Sequence, residues 1–254
     1  MHVSRIGLTP LKGARHGGVP SLDLTLDGPV GDRVFCLVDR SRGRVVRTVE
    51  NPTLLRTTVD WRAGVLTARL PCATGTSTVE EVPAPTGETL ELDYWGRPAA
   101  IEVVAGPWAE AYSEHLGYDV EVARAAGPGQ VVYGAPVSLV TSSSLERLAE
   151  DVGSPVDSAR FRATFTLDTP GEPAHVEDGW VGRRVRLGEA EVEVRGILPR
   201  CAVVDLDPAT GERRTGVLRA LGGYRRGLGE VVFGVDAVVT KPGRVAVDDV
   251  VGRD

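Results

Sequence analysis

The sequence predicts a mainly β (α+β) protein, with two closely packed β-barrel-like domains carrying a few short helices. Three observations lead there. Short, near-alternating runs rich in β-branched residues recur along the chain. The 31 glycines and 17 prolines among 254 residues demand many turns and short elements. The few helical patterns do not alternate regularly with the strand-like runs, which argues against a doubly wound α/β sheet.

The first strand-like runs are 3–8, 22–26, 33–38 and 44–48. Between the last two, Asp39-Arg40-Ser41-Arg42-Gly43 supplies a tight turn with glycine at the left-handed position, so this pair reads as a β-hairpin. Runs 65–69, 90–95 and 99–104 follow, and the Thr-, Ser-, Pro-, Gly- and Glu-rich stretch 72–89 reads as an exposed loop. A helix is expected over 107–116, with Pro107 at its first position, Trp108, Tyr112 and Leu116 on one face, and Gly117 as the stop. A second loop, 125–136, holds Gly127-Pro128-Gly129. In the next helix, 143–152, Ser143-x-x-Glu146 reads as a capping box and Leu145, Leu148, Ala149 and Val152 form the apolar face. The second half returns to strand-like runs at 161–167, 184–187, 192–198, 202–206, 231–239 and 244–251, with a weaker helix over 215–224. The expected domains are 1–104 and 105–254.

Lysine and arginine number 29 against 35 aspartates and glutamates, for a net charge of −6. That balance argues against general binding to nucleic acid or anionic membranes, so any anion site must be local. Apolar stretches such as 34–38 fall far short of the roughly 18 residues of a membrane span, and the N-terminus lacks an apolar leader pattern. The expectation is a soluble, cytoplasmic protein. Cys36, Cys72 and Cys201 are odd in number and widely spaced, which supplies neither a disulfide framework nor a zinc knuckle. There is no phosphate-binding Gly-rich loop ending in Lys-Ser/Thr and no Gly-x-Ser-x-Gly elbow, and the four histidines are scattered without ligand spacing.

Three constellations carry chemistry. In Leu198-Pro199-Arg200-Cys201, a thiol directly after an arginine suits a nucleophile or metal ligand, although a small buried apolar residue is the other reading. Along a strand, Arg160, Arg162 and Thr164 would share one face and cradle a phosphate or carboxylate, or else form a half-solvated surface. Lys12 in Pro10-Leu11-Lys12-Gly13 and Arg33 in Gly31-Asp32-Arg33 place bases beside early strands, where surface ion pairs would equally account for them.

Taken in order, these pieces resemble one family. Pro10-Leu11-Lys12-Gly13, Gly31-Asp32-Arg33-Val34-Phe35 and Asn51-Pro52 are similar to the N-terminal β-barrel domain that accompanies MOSC domains. Val137-Ser138-Leu139-Val140-Thr141, Arg160-Phe161-Arg162, Gly179-Trp180-Val181-Gly182, Pro199-Arg200-Cys201, Asp207-Pro208-Ala209-Thr210-Gly211, Tyr224-Arg225 and Phe233-Gly234 resemble the MOSC domain itself. MOSC domains form the C-terminal part of molybdenum-cofactor sulfurase and of the mitochondrial amidoxime-reducing component. The resemblance implies a molybdopterin-type molybdenum cofactor with Cys201 as metal ligand and catalytic residue. It implies that Lys12, Arg33, Thr141, Ser142, Arg160, Arg162, Thr164 and Arg200 hold the cofactor. It departs from the family at Ala163-Thr164, where Pro-Asn is usual, at Gly13, where Ser is common, and at Asp248, where Gly is usual.

The activity so implied is reduction of N-hydroxylated small molecules, such as amidoximes and hydroxylamines. No ferredoxin-like Cys-x4-Cys-x2-Cys run is present, so an external reductase or a ferredoxin- or cytochrome-type protein is the expected electron donor. The alternative is a carrier that delivers the molybdenum cofactor or a persulfide sulfur.

Overall fold

The computed structural model describes residues 1–213, 216–227 and 229–253, and strands dominate it. The first half contains β1 (His2–Leu8), β2 (Gly17–Val19), β3 (Ser21–Thr25), β4 (Gly28–Pro29), β5 (Phe35–Asp39), β6 (Arg44–Val45), β7 (Thr58–Arg62), β8 (Val65–Cys72), β9 (Gly75–Glu81), β10 (Ala84–Tyr94) and β11 (Arg97–Ala105). After α1 (Trp108–Leu116) come β12 (Glu121–Ala125), β13 (Val137–Thr141), α2 (Ser142–Val152), β14 (Phe165–Asp168), β15 (Arg184–Leu187) and β16 (Ala190–Pro199). The chain continues with α3 (Val217–Tyr224), β17 (Arg226–Gly227), β18 (Glu230–Lys241), β19 (Gly243–Ala246) and β20 (Val251–Arg253).

Two β assemblies organise the molecule. One is a closed barrel in the order β10-β11-β12-β5-β6, and the other is a nine-stranded sheet running β2-β1-β14-β13-β18-β16-β15-β20, with β17 beside β18. β5 is buried at every residue of Phe-Cys-Leu-Val-Asp, as a strand covered on both faces must be. The expected hairpin is present: Val38 pairs with Val45 and Asp39 with Arg44, and Gly43 turns the chain at φ 60°. α1 follows the sequence reading closely, with Pro107 as N-cap and Gly117 closing it in the left-handed region at φ 77°. Its buried Trp108 donates from Nε1 to the Leu66 carbonyl of β8 at 3.1 Å.

Several expectations are corrected. The stretch 72–89 is not a loop, because Cys72-Ala73-Thr74-Gly75 turns β8 directly into β9, and β10 begins at Ala84. These residues are exposed as expected, so their backbone pairing leaves no apolar alternation to read. The capping box fails as well: Thr141 is the N-cap of α2, accepting from the Ser144 amide, and Glu146 stays exposed. The run 202–206 contains the 3-10 turn Ala202–Asp205 instead of a strand. The run 161–167 holds a strand only from Phe165. The run 244–251 splits into β19 and β20, and Thr215 of the expected third helix lies outside the described residues.

Sheet membership does not follow a division into 1–104 and 105–254. β1 and β2 lie in the nine-stranded sheet, β3 pairs with β19, and β12 closes the barrel. Strands of 1–104 thus enter the nine-stranded sheet, and one strand of 105–254 enters the barrel. Among the described residues, no helix is long and apolar enough to cross a membrane.

Candidate functional site

A cavity of about 350 Å³ gathers Lys12, Arg33, Arg160, Arg162, Arg200 and Cys201 in its lining. Separate elements deliver them. The segment after β1 is knitted to the segment before β5: Arg33 donates from its backbone amide to the Thr9 carbonyl at 2.7 Å, and Lys12 to that of Phe35 at 2.8 Å. That pairing carries Lys12 and Arg33 to the same lining.

Lys12 is buried, and its Nζ donates to the Val46 carbonyl at 2.9 Å and lies 5.2 Å from the centre of the Tyr94 ring. Burial is the main cause that pushes its ammonium down to about 8, and neighbouring Arg162, Arg33 and Arg47 act in the same direction. Arg33 pairs with Asp32 at 2.6 Å.

The expected strand face of Arg160, Arg162 and Thr164 does not exist. Asp157 accepts from the Ala159 amide and starts a 3-10 turn, Ser158–Phe161, after which Arg162 adopts φ 51°, so side chains cannot alternate there. The two arginines reach the cavity by that turn instead. Arg160 donates to the Leu206 carbonyl at 2.7 Å and faces Asp207 at 3.8 Å, which ties the turn to the segment after Cys201. Arg162 donates to the Ala14 carbonyl at 2.8 Å. Burial, with Arg33 beside it, brings its guanidinium down to about 10. Arg33 shares the left-handed backbone at φ 50°, a strained conformation for a non-glycine residue.

Arg200 and Cys201 follow the end of β16. The Arg200 amide bonds the Val231 carbonyl, and its guanidinium turns inward, donating from Nε to the Phe233 carbonyl at 2.8 Å and from Nη1 to that of Phe161 at 3.0 Å. Its Nη2 is buried without a partner. Gly234 preserves this approach, since at φ 69° a Cβ would stand 2.5 Å from the Leu139 carbonyl oxygen and 3.3 Å from Arg200 Nη2. Burial lowers the Arg200 guanidinium to about 10. Cys201 is a free, exposed thiol at the N-cap of Ala202–Asp205 and makes no side-chain capping bond.

Three sequence-predicted residues lie outside the cavity lining. Thr141 is fully buried and donates to Glu177 at 2.7 Å while capping α2. Ser142 accepts from the Thr169 amide at 3.0 Å. Thr164 makes reciprocal bonds with Ser138, each backbone amide donating to the other's hydroxyl at 3.1 Å. Ser138 is the member of that pair on the cavity.

Sequence reasoning missed Ser138, Tyr94, Trp95, Tyr133 and Glu230 of the lining. Ser138 lies inside Val137-Ser138-Leu139-Val140-Thr141, and Trp95-Gly96 carries the signal of a hairpin tip. Among the described residues, no group of three or more His, Cys, Asp or Glu is placed to hold a metal ion. The lining can therefore offer one soft thiolate and several cations, which suits an anionic ligand carrying a metal that has most of its ligands already.

The family model of the MOSC domain matches residues 113–252, and that of the MOSC N-terminal beta barrel domain matches residues 1–98. The chain is 36% identical over 78 residues to a molybdenum cofactor sulfurase of Solanum lycopersicum, covering 30% of this chain and 9% of the relative. It is 28% identical over 134 residues to that of Aspergillus terreus, covering 48% and 16%. The matched segments thus span a small part of these curated relatives. Among solved structures, the YuaD protein from Bacillus subtilis is similar at TM-score 0.45 and 11% identity, covering 98% of this chain and 92% of that one.

Proposed function

We propose, from the premise that this chain belongs to the MOSC domain family, that its cavity binds a molybdopterin-type molybdenum cofactor and serves the reduction of N-hydroxylated small molecules. The observation that carries the reading is the pairing of an exposed free thiol, Cys201, with buried cations in one cavity.

The residues fit such a group. Cys201 offers the single thiolate ligand, and the unpartnered Arg200 Nη2 is a buried donor whose cost an anionic group would relieve. Arg162, Arg33 and Lys12 add fixed positive charge in a chain whose net charge is −6. Thr141, Ser142 and Thr164 act behind the lining, holding α2 and Ser138 in place.

When bound, the group would supply two-electron redox chemistry. The chain fixes the thiolate, neutralises the phosphate and orients the substrate. The overall reaction takes R–NHOH, two electrons and two protons to R–NH2 and water, so the N–O bond breaks. The electrons come from an external reductase or a ferredoxin- or cytochrome-type partner.

A second reading, a carrier of the cofactor or of persulfide sulfur, is favoured by the solvent exposure of Cys201, which leaves the thiol open to a partner protein. One experiment separates these readings. The protein is produced in a host that makes molybdenum cofactor, and metal per chain is measured beside Cys201→Ala, with a resident molybdoenzyme as loading control. The expected result is near-stoichiometric molybdenum that is lost in the variant and retained through turnover of an amidoxime with a donor reductase. Absence of metal while the control is loaded overturns the proposal. Ready transfer of the metal to an acceptor apoenzyme establishes the carrier.

A further inference from the structure

The cavity has a graded wall. Its cations are withdrawn from solvent, with Lys12 9% exposed and the Arg33 side chain 15% exposed, while two large aromatic residues of the same lining, Trp95 and Tyr133, are 42% and 55% exposed. Large apolar surface exposed beside a cavity and rimmed by polar residues marks a ligand-binding groove.

Both residues sit on braced backbone. Trp95 and Gly96 form the two-residue turn between β10 and β11, where Tyr94 pairs with Arg97. Trp95 stands at φ 55°, a left-handed position for which Asn is the ordinary choice in such turns. Strain of this kind persists where the surrounding structure holds it, and it clusters at ligand sites. Here the Gly96 amide donates to Asp93 at 2.8 Å, and Arg47, paired with Asp93 at 3.0 Å, lies 4.5 Å from the Trp95 ring centre. The stretch carrying Tyr133 is tied down on both sides. Arg97 donates to the carbonyls of Gly129 and Val132 at 2.8 and 2.7 Å, and the Ala135 amide donates to Asp236 at 2.7 Å.

We propose that Trp95 and Tyr133 are specificity-determining residues that receive the flat ring of an aromatic or heteroaromatic N-hydroxylated substrate, so that ring-bearing amidoximes and hydroxylamines are preferred over aliphatic ones. This rests on the reading of the cavity as a site for N-hydroxylated compounds. The separation of charge inside from rings at the mouth assigns the anionic cofactor to Lys12, Arg33, Arg162 and Arg200, and leaves the aromatic rim to the substrate. Stacking on such rings is sequence- and substituent-tolerant, because it needs a π-face and no particular hydrogen-bond pattern.

The test compares binding of benzamidine and acetamidine, as product-like probes, to molybdenum-loaded parent, Trp95→Asn, Trp95→Phe and Tyr133→Ala proteins. Tryptophan fluorescence and calorimetry report binding, and KM and kcat for benzamidoxime and acetamidoxime are measured in parallel. Asn keeps the turn conformation while removing the ring. The expected result is a benzamidine preference in the parent that falls about three- to tenfold in Trp95→Asn and Tyr133→Ala, through KM and not kcat, and is retained in Trp95→Phe. Acetamidine binding and molybdenum content should stay unchanged. A preference absent from the parent, or intact in both ring-deleted variants, overturns the inference. So does loss of molybdenum in those variants, which would assign the rings to the pterin. If neither amidoxime is reduced yet benzamidine binding still depends on both rings, the rim stands and the reductase reading falls.

Discussion

Two cysteines in one chain show what the two halves of the fold do to the same side chain. Cys36 points into the closed barrel from β5, fully buried among Val38, Val45, Tyr94 and Ile101. Burial pushes its thiol up to about 12, against the smaller opposing pull of Lys12. Cys201 stands where β16 has ended, exposed on the cavity and beside the Arg200 backbone. A barrel closed on itself buries every inward side chain, whereas a sheet whose strands end at a cavity presents the residues of its connections. The difference teaches that reactivity here follows from position in the fold, because the two residues are chemically identical.

The largest expected effect is kinetic. In a timed iodoacetamide reaction read by peptide mass spectrometry, Cys201 and the exposed Cys72 should be labelled promptly. Cys36 should react at least about a thousandfold more slowly, since it must wait for the structure to open. Labelling of Cys36 at a comparable rate would show that the barrel interior is open to solvent.

Next in size is Lys12, which couples the regions by lying on the cavity while interacting electrostatically with Cys36. Its ordinary value of 10.5 applies in the unfolded chain, and about 8 applies in the folded one. The unfolded state therefore binds more protons between those values, and stability rises with pH across that window. Above its ordinary 9.0, Cys36 acts in the opposite sense, because its unfolded thiol ionises while the folded one holds its proton. The clear interval is pH 8 to 9, where urea midpoints should show a gain of about 1 kcal/mol. Lys12→Met should abolish that gain and stabilise the empty protein at pH 7 by about 1–3 kcal/mol, while weakening retention of molybdenum. An unchanged pH profile in the variant would place the buried charge elsewhere.

The smallest effect reverses the ranking of the two thiols. Cys36→Ala should cost about 1 kcal/mol of stability and leave metal content intact, whereas Cys201→Ala should change stability by less than about 0.5 kcal/mol. Denaturant midpoints compared with molybdenum content check both.

Much of this was legible beforehand where local chemistry decides. The Asp39-to-Gly43 hairpin and the Gly117 stop of α1 follow from residues adjacent in the chain. β9 was not legible: its exposed Gly-Thr-Ser-Thr-Val-Glu-Glu has no apolar face, and only pairing with β8 makes it a strand. Arg160 and Arg162 reached the cavity for a reason the sequence reading did not contain, a left-handed residue after a 3-10 turn. The family resemblance implies ligand roles for Thr141 and Ser142, yet polar side chains at a helix start also suit the helix's own free amides. Here they serve α2 and its neighbours.

By itself the sequence determined a mainly β protein, the Asp39-to-Gly43 turn and the approximate places of α1, α2 and α3, while its family resemblance implied the bases and the thiol that could serve an anionic, metal-bearing ligand. The elements follow from side-chain period and backbone preference. Only the tertiary structure decided which of them meet. Arg162 reaches the Ala14 carbonyl across 148 positions, Arg200 keeps one buried nitrogen free, and Trp95 and Tyr133 come to the mouth of a single cavity. Such meetings depend on sheet pairing and burial between distant segments, which no local pattern encodes.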